Sequence, residues 1–176
     1  AEDDILLVHQ DFIPIIKKIH SQFNRTIKIV LLNDSSMEIK DFVFQNYVSD
    51  YEELLKKNES SFEFEDFDED TIATKFYTTG TTGKPKGVSY SHRQLVIHTL
   101  GFIAGTSVSK SDHRFHNEDV YMPLTPMFHV HAWGFPYMAT LLGVKQVYPG
   151  KFEPSLLLEL IKNEKVTFSH CVPTIL

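Results

Sequence analysis

Glycine, threonine and lysine residues crowd one short segment, residues 77–87, which reads YTTGTTGKPKG. Its three glycines let backbone amides approach a ligand closely, its four threonine hydroxyls are donors for phosphate oxygens, and its two lysines add positive charge. Such a loop forms a concavity that suits a polyphosphate. It is not a Walker loop, because Pro85 stands where that pattern requires its second glycine, and it is not a GxGxxG loop. The alternative interpretation is a flexible surface turn.

Two histidines and a tryptophan mark a second segment of interest. His129 and His131 form an HxH pair, which on a strand would direct both imidazoles to one face, as zinc ligands sometimes do. No cysteine or carboxylate accompanies the pair, so we interpret His131 as a structural residue. Trp133, taken alone, is more typical of a core aromatic residue than of a binding site.

The first segment is expected to lie between a strand and a helix. Residues 72–79 (IATKFYTT) predict a strand, and residues 80–87 predict a loop. Ser91 and Gln94 then form a possible capping box that opens a helix. A loop that joins a strand end to a helix is where doubly wound sheets place their ligands.

Strand-length apolar runs alternate with helical periodicity along the rest of the chain. This alternation predicts an α/β fold of three layers, a mainly parallel sheet with helices on both faces. Ser49 and Glu52 form a second possible capping box before a short helix, YEELLKK. The other expected strands are residues 5–8, 26–32, 119–124, 144–148 and 166–172, and the other expected helices begin at Pro14 or cover residues 135–142 and 154–163.

Composition excludes several classes of protein. The 176 residues are 42% hydrophobic and 23% charged, which is typical of a globular domain. The net charge of −6 has its source in residues 59–70, so no basic stripe indicates a nucleic-acid partner. No apolar run is long enough to predict a transmembrane segment. Cys171 is the single cysteine, which favours a reducing compartment and predicts a cytoplasmic protein.

Both segments resemble one known superfamily, the adenylate-forming enzymes, which comprise acyl-CoA synthetases, luciferases and adenylation domains. The run YTTGTTGKPKGVSYSH is similar to their phosphate-binding signature, and PLTPMFHVHAWG at residues 123–134 is similar to a second block. The FHxxxW arrangement resembles the medium- and long-chain fatty acyl-CoA synthetases in particular. Weaker similarity covers nearly the whole chain, including VTFSHCVPT near its end.

The resemblance implies a reaction and a role for each matched residue. The family joins a carboxylate to AMP with release of pyrophosphate, then transfers the acyl group to coenzyme A, and it uses ATP and Mg²⁺. The hydroxyl of Thr78 matches a position that reaches the Mg²⁺ ion. His129 matches a residue beside the substrate carboxylate, and Trp133 falls where the acyl channel is walled or gated. The positions that match the ATP phosphate loop are Thr78, Thr79, Gly80, Thr81, Thr82, Gly83 and Lys86.

Other family elements have no match in this sequence. These are the acidic residue that completes the magnesium site, the aspartate that holds the ribose, and the small C-terminal domain with its catalytic lysine. We therefore expect residues 1–176 to be a single α/β fragment of the AMP-binding N-terminal domain, inactive alone, without a complete catalytic set. A homodimer of the full-length parent is one state that the resemblance allows.

Two alternatives to a fatty acid–CoA ligase stay open from the sequence. One is another adenylate-forming enzyme that acts on an aryl or amino acid. The other is a non-catalytic module that binds a polyphosphate or a metal ion.

Overall fold

The computed structural model describes residues 3–33, 44–78, 83–108 and 114–175. The chain divides into two compact units, Ala1–Glu65 and Asp66–Leu176. Both candidate segments belong to the second unit.

The first unit is a small parallel sheet of strands in the order β1-β2-β3. These strands are β1 (Ile5–His9), β2 (Lys28–Leu32) and β3 (Tyr47–Asp50). Helix α1 (Ile13–Ile19) follows β1, and helix α2 (Tyr51–Lys57) follows β3. Apolar residues of β1, α1 and β2 form its core together with Phe44: Val8, Ile13, Ile16, Ile29 and Leu31.

The capping box expected at Ser49 and Glu52 is wrong. Ser49 lies in strand β3, where it is the partner of Val30, so its backbone is committed to the sheet. Helix α2 begins after Asp50, which makes no side-chain capping bond. The Asp50 carboxylate instead accepts a hydrogen bond of 2.7 Å from the Tyr47 hydroxyl. Burial, and then this contact, raises the pKa of Tyr47 to about 12.

The second unit begins with an antiparallel hairpin of β4 (Ile72–Thr78) and β5 (Lys86–Ser91), followed directly by α3 (His92–Ser107). The predicted strand and the predicted capping box are both confirmed, because Ser91 accepts from the Gln94 backbone and Gln94 accepts from the Ser91 backbone. The prediction missed β5. Its sequence, KGVSYS, has one strongly apolar residue and two serines, which gave a weak strand signal.

A three-stranded parallel sheet completes the second unit. Strand β6 (Val120–Pro123) lies between β7 (Lys145–Gln146) and β8 (Phe168–His170). Helices α4 (Phe135–Leu142) and α5 (Pro154–Glu164) cover the crossovers, and both lie within one residue of their predicted bounds.

The core of this sheet is aromatic. Tyr121 and Met122 of β6, and Met138 of α4, have no solvent-exposed surface. The rings of Phe115, Phe135 and Phe168 pack around Tyr121. The predicted α/β class with parallel sheets is confirmed, and the β4–β5 hairpin is its antiparallel exception.

Candidate functional site

Residues 77–87, the segment rich in glycine, threonine and lysine, include the paired ends of strands β4 and β5. They therefore do not form the simple strand-to-helix loop that the sequence predicted. Thr78, the last residue of β4, lies opposite Lys86, the first residue of β5. Both side chains are exposed, so a hydroxyl donor and a cation flank the base of the hairpin tip. Gly83 has a φ of +143°, a conformation that L side chains rarely adopt. The remaining predicted ligands, Thr79, Gly80, Thr81 and Thr82, lie outside the described residues, so their roles stay predictions.

The second segment forms a left-handed turn over residues 130–134. The φ angles of Val130, His131, Ala132 and Trp133 are +48°, +51°, +50° and +61°, and that of Gly134 is +81°. For L-residues, a left-handed helical conformation costs roughly 1–2 kcal/mol per residue, and β-branched valine is especially unsuited to it. Strained backbone of this kind persists only where surrounding contacts hold it, and it concentrates at functional sites.

Hairpin residues hold one side of this turn. The Nε2 atom of His131 lies 2.9 Å from the Thr74 hydroxyl of β4. The His131 ring also meets the rings of Phe76 and Tyr137 edge-on, at centroid distances of 5.3 and 6.1 Å. These contacts support the interpretation of His131 as a structural residue. Within the described residues, no group of three or more His, Cys, Asp or Glu side chains forms a metal site.

His129 directly precedes the turn and Trp133 lies within it, and both residues are exposed. Their rings lie 6.4 Å apart, and the His129 backbone N–H donates to the Pro126 carbonyl at 2.9 Å. The Trp133 side chain is 55% exposed, which excludes the interpretation of Trp133 as a core residue. The two rings are therefore neighbours on the surface, and their roles in binding an acyl substrate stay predictions.

A mainly apolar cavity of about 100 Å³ lies beneath Trp133. The His98 ring of α3 packs so closely on Gly134 that an added Cβ would lie 2.7 Å from it. Gly134 is therefore required both by its φ angle and by this contact. The walls come from the hairpin, α3, the turn and α4: Phe76, Tyr90, Leu95, His98, Val130, His131, Trp133, Gly134 and Tyr137.

Sequence reasoning missed His170, the last residue of β8. Its ring stacks on Phe135 at 4.4 Å and on Tyr121 at 5.8 Å, and its Nδ1 lies 3.2 Å from the Tyr121 hydroxyl. Burial lowers the pKa of His170, and the backbone of Ala132 raises it by less. The feature of the sequence that could have indicated His170 is the presence of a titratable residue inside the apolar run VTFSHCV.

Comparison with known proteins identifies the family. The family model described as AMP-binding enzyme matches residues 4–176. The chain therefore belongs to the AMP-binding enzyme family, and the resemblance of its two segments to adenylate-forming enzymes is confirmed.

Individual relatives agree with this assignment. A long-chain-fatty-acid–CoA ligase of Thermus thermophilus is 39% identical over 99% of this chain, and a medium-chain-fatty-acid–CoA ligase of Ectopseudomonas oleovorans is 34% identical over 99%. The chain spans 30% and 31% of those two relatives. A crystal structure of a long-chain-fatty-acid–CoA ligase from Archaeoglobus fulgidus shares the fold, with a TM-score of 0.73 at 24% identity over 98% of this chain and 31% of that one.

No helix in the described part of the chain has the length and apolar character needed to cross a membrane.

Proposed function

We propose that this chain is part of an ATP-dependent fatty acid–CoA ligase, within its AMP-binding N-terminal domain. The observation that carries the proposal is the contact between Thr74 and His131 at 2.9 Å. It joins the hairpin that bears Thr78 and Lys86 to the turn that follows His129 and contains Trp133. A nucleotide phosphate at the hairpin tip and a carboxylate beside His129 would thus be held by elements in direct contact.

The chemistry follows from charge and position. A carboxylate must attack a phosphorus surrounded by negative oxygens, so catalysis depends on positioning and on donors that offset this charge. Lys86 supplies a cation and Thr78 a hydroxyl at the base of the hairpin tip. His129 would orient the carboxylate, and the cavity under Trp133 would receive the start of the acyl chain. Coenzyme A would then accept the acyl group.

The residues present are compatible with a magnesium ion. Mg²⁺ prefers oxygen ligands and keeps several waters, and it binds through one or two protein groups plus substrate phosphates. The exposed Thr78 hydroxyl is one such oxygen, at the end of β4. When bound, the ion would neutralise phosphate charge. We also propose a cytoplasmic location, because the single cysteine of these 176 residues, Cys171, is a free thiol, which fits a reducing compartment.

Substitution of Lys86 in the full-length ligase tests the nucleotide half of the proposal. Lys86→Ala should lower the rate of fatty-acid-dependent pyrophosphate exchange by about 10²–10³, the usual effect of removing one donor that stabilises developing charge. Fatty-acid affinity should change little. Lys75→Ala is the matched control, because Lys75 is an exposed lysine of the same hairpin, paired with Ser89 away from the tip.

Two results would contradict this part of the proposal. Unchanged exchange in Lys86→Ala would mean that the hairpin does not hold the nucleotide, and an equal loss in Lys75→Ala would indicate a general effect of charge or folding. A panel of fatty, aryl and amino acids tested on the same ligase decides between the fatty-acyl substrate and the alternatives.

A further inference from the structure

The left-handed turn over residues 130–134 needs support on the side that faces away from the hairpin. Thr74 and Phe76 hold His131 from one side. Ala132, the middle residue of the turn, is fully buried and points away from solvent. Its backbone is near the ring of His170, which lies at the end of β8.

His170 is packed rigidly in place. Its ring lies nearly parallel to those of Phe135 and Tyr121, with interplanar angles of 26° and 17°. Phe135 is the residue that directly follows the turn, so the stack also fixes the point where the turn enters α4. The His170 carbonyl accepts backbone hydrogen bonds from Leu124 and Thr125 at 3.3 and 3.2 Å. One residue thus contacts the chain before, within and after the turn.

The two ring nitrogens of His170 have different surroundings. The Tyr121 side chain is fully buried, and burial raises the pKa of its hydroxyl, which therefore stays protonated. The Tyr121 hydroxyl and Nδ1 of His170 share a hydrogen bond of 3.2 Å, whose direction depends on the tautomer of the imidazole ring. The Nε2 atom of His170 is buried and has no hydrogen-bond partner of standard geometry among the described residues.

We propose that His170 is a positioning residue, which holds the left-handed turn through the place of its ring beside Ala132 and its stack on Phe135, and so sets the placement of Trp133. The significance of that placement for acyl-chain selection rests on the proposed function. The placement of Trp133 by His170 does not depend on the proposed function. An experiment can therefore test the positioning role of His170 separately from the role of Trp133 in the acyl channel.

The chain contains one tryptophan, so intrinsic fluorescence reports on Trp133 alone. His170→Phe keeps a stacking ring but removes both nitrogens. It should shift the Trp133 emission maximum and raise acrylamide quenching, by up to about twofold because the side chain is already 55% exposed. His170→Gln restores a donor near the Nε2 position and should return quenching toward the wild-type value. Cys171→Ala, at the next residue, is the control and should leave emission unchanged.

Three results would overturn the proposal. The first is unchanged Trp133 fluorescence in His170→Phe with an intact far-UV circular dichroism spectrum. The second is an equal change of fluorescence in Cys171→Ala. The third is failure of both His170 variants to fold, which would mean that His170 is needed for the hydrophobic core as a whole and has no specific role in the turn.

The same variants in the full-length ligase separate the positioning role of His170 from the assignment of Trp133 to an acyl channel. His170→Phe should change KM for fatty acids in a manner that depends on chain length, with KM for ATP unchanged. If fluorescence responds while the chain-length profile stays the same, the positioning role stands and the assignment of Trp133 to an acyl channel is wrong.

Discussion

His170 shows how one residue connects stability to pH. Burial lowers its pKa in the folded state below the ordinary value of 6.5. The unfolded chain therefore binds more protons at this site as the pH falls through about 6.5. The stabilising contribution of the neutral ring is complete above that pH, and it is lost progressively as the pH approaches the folded-state pKa.

We expect the free energy of unfolding to decrease between pH 7 and pH 5, and to decrease less in His170→Gln. The titratable side chain in contact with the ring is the Tyr121 hydroxyl, which is neutral throughout this range. Urea unfolding followed by Trp133 fluorescence at pH 5, 6, 7 and 8 measures the slope. His20→Gln removes an exposed histidine from the other unit and serves as the control. Equal slopes in the wild type and His170→Gln would contradict the expectation.

Helices α4 and α5 end in the same way with different residues. Each ends with a residue in the left-handed conformation, Gly143 at φ +68° after α4 and Lys165 at φ +55° after α5. In each, the next amide bonds back to a carbonyl of the last turn, Val144 to Ala139 at 2.8 Å and Val166 to Ile161 at 3.1 Å. This is the helix ending for which glycine is favoured.

Lys165→Gly should therefore raise the free energy of unfolding by about 0.5–1 kcal/mol, since glycine adopts this conformation without steric cost. Gly143→Ala should lower it by a similar amount, because, apart from its chain neighbours, no atom of the described residues lies within 4 Å of the added Cβ, and backbone strain is the main cost. Thermal denaturation of the two variants measures whether Lys165→Gly raises the stability and whether Gly143→Ala lowers it. A loss of stability in Lys165→Gly would mean that the lysine side chain contributes more than its backbone strain costs.

Elements with strong local signals were predictable from the sequence, and those defined by tertiary contacts were not. The Ser91–Gln94 capping box and the apolar period of α4 act within one turn of helix, so residue order is enough to find them. Strand β5 takes its strand conformation from pairing with β4, and the left-handed turn takes its shape from Thr74 and His170, which are distant in sequence. The roles that the motif assigns to its residues stay predictions, and the structure adds the contacts that surround His131 and Trp133.

At the scale of the whole molecule, we expect the purified 176-residue chain to form no acyl-adenylate. The sequence contains no match for the magnesium carboxylate, the ribose aspartate or the C-terminal catalytic lysine of its family. Pyrophosphate exchange dependent on a fatty acid is the measurement, with the full-length ligase as the positive control. Exchange above background by the chain alone would show that its own residues complete the catalytic set.

The order of strands in the second unit also determines when each strand can pair during synthesis of the chain. Met122 of the central strand β6 is paired with Ser169 of β8, 47 residues further along the chain. A ribosome adds about 5–20 residues per second, so β6 would wait roughly 2–9 seconds after its own synthesis before β8 is available. During that interval Tyr121 and Met122, which have no solvent-exposed surface in the folded chain, lack β8 as a neighbouring strand. The nascent chain therefore exposes apolar surface, and is open to aggregation and chaperone binding, between the emergence of β6 and that of β8.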